Sequence, residues 1–346
     1  MTQPTDTFDA YDAGNTNRED LADIIYNIAP TDTPALNMMR RGSASNKKHE
    51  WLTDDLEQAE SNYQVEGDDY QGEERTKAFR LHTYTQISAK SLTVSGTQEV
   101  IDKAGRKSEI AYLLSLQAKE LKRDIERHIV GFATTADATA LGADVDDGSS
   151  FPNSIGTSGG GVAARTTANL GTWINSNVDI NGSVPPTLNA EGQPNDGDSR
   201  TPGTPRAMLE SQVKSVIRQA WNAGGDPGYI LVDPFNKQVF SSFTGGTTRF
   251  DKSEDKTLTT SVDIYISDFG THRVVPDRFL IQPIPAEGVA TYILDMMYWS
   301  VDYLRPFQQT PLSKTGDNER RLLLAEWCLT AHNQAASGAI YDLTRT

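Results

Sequence analysis

The sequence predicts an α+β fold on three observations. Apolar residues recur at helical spacing from Ile110 to Phe132, and residues 79–90 alternate strictly in polarity. Beyond them, strand-like and helix-like stretches follow one another without a regular βαβ rhythm. With 346 residues, 37% of them hydrophobic, the chain can bury a sizeable core. No apolar run approaches the ~18 residues a membrane span needs. The polar, acidic first twenty residues lack the basic and apolar regions of a signal peptide, so a soluble protein made in a cytoplasm is expected. The net charge of −15, from 47 acids and 32 bases, argues against gripping nucleic acid, which takes a dense basic surface. The single cysteine, Cys328, excludes an intrachain disulfide, and its apolar setting (LLLAEWCLTA) predicts a buried, inert thiol.

Residues 1–46 read as an extended arm with one short helix, LADIIYNIA, stopped by Pro30 and Pro34. Leu36, Met38 and Met39 form too small an apolar cluster to make a core alone. Residues 47–94 read as a β-hairpin. KKHEWLT is its first strand, and the second places Phe79, Leu81, Thr83, Thr85, Ile87 and Ala89 on one face. Between the strands, Asp54, Asp55, Glu57, Glu60, Glu66, Asp68, Asp69, Glu73 and Glu74 occur without a single base. Their spacing matches no Ca²⁺ loop and no histidine lies among them, so a solvated acidic loop is expected and no metal.

Residues 95–132 predict one long helix, about 50 Å if uninterrupted. Ser95 and Gln98 would cap it, Gly105 would weaken its first third, and Ile110, Leu114, Ala118, Leu121, Ile125, Ile129 and Phe132 would form its apolar stripe. Lys119, Glu120, Lys122, Arg123, Glu126 and Arg127 would lie on its polar face, with Lys122 and Glu126 paired. Residues 133–205 are turn-rich, with short elements such as NLGTWIN. A second helix is expected from Thr204-Pro205 to Gly224-Gly225, facing inward through Leu209, Val213, Val216, Ile217 and Ala220. YILVD reads as a strand, PFNKQVFSSF as a helix, and residues 262–276 as a hairpin turning at Asp268-Phe269-Gly270. FLIQPIP, TYILDMM, WSVDYLRPF and the C-terminal stretch around Trp327 read as strands.

Enzyme motifs are fragmentary. Ser211-Gln212-Val213-Lys214 with Lys314-Thr315-Gly316 resembles the serine–lysine arrangement of penicillin-binding enzymes, but no S-D-N lies between them. Asp268-Phe269-Gly270 has no upstream H-R-D loop. His49, His82, His128, His272 and His332 show no metal-ligand spacing. No catalytic, cofactor or metal residue is assigned.

The order of arm, projecting hairpin, strut helix and mixed domain, with NREDLADIIYNIAPTDTP, HEW, VSGTQEV, AKELKRDIE, AWNAGGDP, ISDFG, LRP…LSKTGD and AEWCLTAHNQAASGAIYDL, resembles tailed-bacteriophage major capsid proteins of the Hong Kong 97 fold. The phrases span nearly the whole chain, and about 140–205 departs most, as a Gly/Pro/Ser-rich insertion. The resemblance implies an N-terminal arm (1–46) and an E-loop (47–94). It also implies a peripheral domain (95–132 and about 301–346) and an axial domain (133–300). It implies a virion shell of hexamers and pentamers around double-stranded DNA, bound without sequence specificity and without a membrane. Assembly would take place in the host bacterial cytoplasm, with portal and separate scaffold proteins and with room for a decoration protein. The arm begins within twenty residues of Met1, so no long pro-segment is expected. A nanocompartment shell of the same fold, enclosing cargo protein, is the alternative. Contacts between copies are expected at Arg40, Arg41, Trp51, Asp54, Asp55, Glu66, Asp68, Asp69, Arg106, Lys107, Lys122, Arg123 and Arg127. There the acidic loop would meet the cations of a neighbour and set register more than affinity.

Overall fold

The computed structural model describes residues 32–54, 56, 59, 61, 63, 65–67, 78–102, 107–131, 164–189, 191–195, 200, 201, 203–243, 264–280 and 288–344. The expected LADIIYNIA helix and most of the acidic loop lie outside them.

Two sheets organise the chain. The first is four-stranded and runs β1 (Arg40–Ser43), β10 (Trp299–Leu312), β11 (Asn318–Ala331), β4 (Gln86–Ser95). The second has six strands in the order β5 (Val178–Asp179), β12 (Gly338–Leu343), β9 (Val289–Leu294), β6 (Tyr229–Val232), β8 (Gly270–Pro276), β7 (Ile264–Ser267). Helix α3 (Glu109–Val130) packs between them. Leu121, Ile125 and Ile129 from α3, Trp299, Trp327 and Leu329 from the first sheet, and Tyr292, Leu294 and Tyr341 from the second share one core. A second core lies on the far face of the six-stranded sheet. After a one-turn α4 (Leu170–Trp173), whose Leu170 and Trp173 join the first core, the second is closed by α5 (Glu210–Asn222) and α6 (Pro234–Ser241), with Val213, Val216, Ile217 and Phe240 against Ile230, Val274 and Ile340. The chain crosses between the sheets after β11. His332–Ser337 turn it, and Gly338–Leu343 pairs antiparallel with β9, so the C-terminal stretch read as strand is two strands in different sheets.

Several expectations need correction. The helix read over 95–132 is interrupted. A short α2 (Gly96–Val100), capped by Ser95 Oγ accepting from Gln98 N at 3.2 Å, ends at Ile101. Ser108 then caps a separate α3 of 22 residues, about 33 Å long, which stops before Gly131. Glu126 is not on the solvated face and does not pair with Lys122. It is fully buried, and its carboxyl oxygens accept from Ala35 N and Leu36 N of α1 (Pro34–Met38) at 2.7 Å each.

The strand read through 79–90 breaks at Thr85. β3 (Phe79–Tyr84) pairs with β2 (Lys48–Thr53), while β4 leaves the hairpin to pair with β11. The break reverses the pleat: Leu81 and Thr83 point inward before it, Leu92 and Val94 after it, and Ile87 and Ala89 point outward. Residues 204–206 are extended, with Thr204 N bonding Asn181 O and Arg206 N bonding Asp342 O, so α5 starts only after Leu209. Leu209 is an exposed cap residue, not part of the apolar face. Phe279 lies in a turn with Arg278, Leu280 follows it without strand pairing, and the rest of the expected FLIQPIP strand is outside the described residues.

Candidate assembly interface

β2 and β3 form a two-stranded arm that joins neither sheet through its backbone. Along β2 the side chains alternate. Trp51 turns inward, its ring 5.7 Å from that of Trp173, 5.9 Å from His49 and 6.3 Å from His332. It therefore anchors the arm to its own chain. Leu52 faces solvent instead, and beyond it Leu56 is 89% and Tyr63 88% exposed. Val65 is exposed as well. Asp54 and Glu66 are exposed among them, Glu66 in a turn made possible by Gly67 at φ 87°. Asp55, Asp68 and Asp69 lie outside the described residues. Reasoning from the acids alone misses this apolar strip. Its signal was present: isolated large hydrophobics in a run with no strand or helix periodicity.

The root of the arm is held by buried polar groups. His49 Nε2 lies 3.3 Å from Asp302 Oδ2, which also accepts from Ser300 Oγ at 3.1 Å and from Thr330 Oγ1. Burial pushes the Asp302 carboxyl up, but the hydrogen bonds from His49, Thr330 and Ser300 together hold it below the usual carboxylate range. A Cβ at Gly42 on β1 would collide with the same carboxylate.

At Thr85, where the strand changes partner, the buried Glu326 carboxylate accepts from Thr85 Oγ1 at 3.1 Å and from Arg305 Nε at 2.7 Å, and pairs with Arg165. The segment read as an insertion supplies further ties. Thr167 Oγ1 lies 3.3 Å from Thr83 Oγ1 and accepts from Leu329 N at 3.0 Å. Buried Gln193 accepts from His82 N at 2.8 Å through Oε1 and sets Nε2 3.2 Å from the His82 ring. Its far end is stapled by Asp342, a non-glycine residue at φ 59° whose carboxylate accepts from Asn181 N, Ser183 N and Gly203 N. This segment thus braces the hairpin from within the same chain.

The cations expected to face the acidic loop are spread over two surfaces. Arg40 and Arg41 are exposed on β1, the edge of the four-stranded sheet, with Arg40 Nη1 donating to Met297 O at 3.4 Å. Lys107 and Lys122 are exposed before and along α3. Arg123 is half-buried and places its guanidinium over the Phe279 ring, 5.8 Å from the centroid, and Arg127 is half-buried too. Arg106 lies outside the described residues. Among the described residues these side chains do not gather in one cluster: the acids lie on an apolar loop, and the cations on β1 and along α3.

The enzyme fragments do not converge. Ser211 is exposed on α5. Lys214 is an exposed helix-surface lysine paired with Glu210 at 2.9 Å, whose hydrogen bond raises its pKa, the reverse of what a serine-activating base requires. Lys314 is exposed after β10 and reaches Glu319 at 3.8 Å. Asp268-Phe269-Gly270 is the β7–β8 turn. Cys328 is buried, and burial pushes its thiol up to about 12. Among the described residues no group of three or more His, Cys, Asp and Glu is placed to hold a metal, and no helix is long and apolar enough to cross a membrane.

The profile of the SU10 major capsid protein family matches residues 3–344. The major capsid protein of Escherichia phage Phieco32 is 25% identical over 354 residues, covering 99% of this chain and 98% of its own. The capsid of an empty GTA particle superposes with a TM-score of 0.59 at 10% identity, over 97% of this chain and 98% of that one. The holo-SrpI encapsulin complex of Synechococcus elongatus PCC 7942 does so with a TM-score of 0.53 at 8% identity, over 98% and 97%.

Proposed function

Because the chain belongs to the SU10 major capsid protein family, we propose that its shell is a lattice of hexamers and pentamers closed around double-stranded DNA, knitted together largely by the β2–β3 arm. The chain is a phage major capsid protein of the Hong Kong 97-type fold, a structural component of the virion head. The observation that carries the proposed lattice contact is the exposed apolar strip Leu52, Leu56, Tyr63 and Val65, at the end of β2 and on the loop after it, which the described residues leave uncovered. Covering each such side chain with a neighbour would contribute about 1.5–3 kcal/mol. Repeated around a closed symmetric lattice, contacts of that size suffice for a stable shell.

In this reading the chain ahead of α1 is the arm that lies over neighbours, whereas α1 and β1, read as part of a 1–46 arm, dock on their own chain. The E-loop read as 47–94 ends near Thr85, where β4 joins the four-stranded sheet. The peripheral part comprises α2, α3 and the four-stranded sheet. The axial part is built on the six-stranded sheet and takes β12 with it. The acidic loop faces Lys107 and Lys122 of a neighbour, setting register by charge complementarity. The net charge of −15 suits a wall that does not adhere to the packaged genome. Assembly in the bacterial cytoplasm, on a separate scaffold and around a portal, completes the proposal. Family membership favours a genome over the cargo of an encapsulin, since the encapsulin likeness is one of fold.

Size-exclusion chromatography with negative-stain microscopy tests this. The wild type is expected to yield closed shells, or hexamer and pentamer rings. The Leu56→Ser/Tyr63→Ser double variant is expected to melt within about 0.5 kcal/mol of wild type, as exposed positions do, yet to remain unassembled. A wild-type chain that stays monomeric when co-produced with the scaffold and portal from its own genome overturns the reading.

A further inference from the structure

One buried polar cluster plays no part in the proposed assembly, and it sits where α1 meets α3. Glu126 Oε1 and Oε2 accept from Ala35 N and Leu36 N at 2.7 Å. Beside it, after β8, Asp277 is also fully buried. Its amide donates to Val232 O at 2.8 Å and its Oδ1 accepts from Phe279 N at 2.8 Å. Its Oδ2 is buried and receives no donor among the described residues, although the Glu126 carboxyl is within hydrogen-bonding reach.

Two ionised carboxylates cannot share such a site, because burial and mutual repulsion both oppose the second charge. One proton held between them supplies the missing donor and removes that charge, and it belongs to the pair and not to either residue.

The charged groups on the surrounding elements are Asp32 ahead of α1, Arg123 and Arg127 on α3, Asp233 at the end of β6, and Arg278 beside Asp277. Arg123 lies over Phe279, and Asp233 caps α6 through Phe235 N and Asn236 N. Neither Glu126 nor Asp277 forms an ion pair with a described cation. Burial, and for Glu126 the Asp277 charge as well, pushes both carboxyls above the usual carboxylate range.

We propose that the proton shared by Glu126 and Asp277 is a catch. While it is in place, the first turn of α1, and the chain leading into it, stay docked on α3; when it is lost, that turn detaches. The consequence reaches beyond five residues. Ala35, Leu36 and Met39 enter the main core from this segment, and the parallel pairing of β1 with β10 begins at Arg40. Alkaline conditions would therefore free the start of the chain while leaving both sheets intact.

Hydrogen exchange on the full-length protein tests the catch directly and does not depend on whether shells form. Protection of the Ala35 and Leu36 amides, corrected for intrinsic exchange, is followed from about pH 5 to about pH 9. It is expected to fall by up to about tenfold per pH unit and then level off once both carboxyls are ionised. Leu121 and Ile125 in α3 should keep their protection throughout. Glu126→Gln, and independently Asp277→Asn, leave one titrating group and should flatten the profile. Wild-type protection that does not change across the range overturns the proposal, and so does a full wild-type slope in either neutral variant. Should neither variant fold, the wild-type profile alone decides.

Discussion

Glu126 is a polar position of α3 that becomes a core position, because α1 lies across it with two amide donors that its own short helix cannot satisfy. Glu126→Ala removes both acceptors and leaves two buried N–H groups unpaired, a loss of roughly 2–4 kcal/mol that denaturant unfolding would measure. His128, two residues on, is equally buried, with Nε2 2.8 Å from Thr167 O and its ring edge-on to Trp327. Burial pushes its pKa down to about 4. The unfolded chain therefore binds a proton that the folded one refuses. The neutral ring's contribution is complete above about pH 6.5 and is lost as pH falls toward about 4, by up to ~1.4 kcal/mol per unit. His128→Phe should flatten that part of the stability–pH curve.

At the scale of elements, the hairpin is positioned by its root. Thr85 lets one extended strand serve two pairings: its Oγ1 and carbonyl engage Glu326 and Arg165, and the pleat reverses across it. The segment before α5 adds a second hold through Gln193 and His82. Gln193→Ala should lower global stability by only about 1 kcal/mol, yet speed exchange of the His82 amide well beyond that of amides in β10 and β11. Unchanged exchange at His82 would mean that the segment packs against the arm without bracing it. Gly42→Ala is expected to detach β1 from β10, since the added methyl would occupy the place of the Asp302 carboxylate. Faster tryptic cleavage at Arg40 and Arg41 would report it.

Over the whole molecule, two buried sites set opposite pH dependences. The raised carboxyls of Glu126 and Asp277 bind a proton more tightly folded than unfolded, so their contribution is full below the ordinary carboxylate range and declines as pH rises through their folded values. His128 acts in the other direction. The stability maximum should lie between the two limbs, and Glu126→Gln should flatten only the alkaline one. Assembly has its own electrostatic lever in Lys122, which is exposed. Lys122→Glu should leave the melting temperature within about 1 °C, slow shell formation at low salt, and lose its effect as screening shortens the Debye length to a few ångströms. Arg123 is a poorer probe, because reversing its charge would also remove its packing over Phe279.

The residues themselves determined the mixed fold class, the hairpin, the apolar stripe of α3, the β7–β8 turn, the inert cysteine and, through phrases spread along the chain, the kind of shell it builds. These are local patterns or family signatures, and both are written in one dimension. Only the tertiary structure decided that the long helix is two, that the strand through Thr85 changes sheets, that the last strand leaves β11 for the six-stranded sheet, and that Glu126 is buried. In the last three cases the deciding partner is distant in sequence: β11 captures β4, β9 captures β12, and α1 supplies the donors to Glu126. The helix is divided by nearer contacts, Ser108 Oγ capping α3 and Glu99 Oε2 accepting from Glu109 N. A helical or strand period states which residues share a face, while the burial of that face and the satisfaction of its polar groups depend on contacts tens to hundreds of residues away.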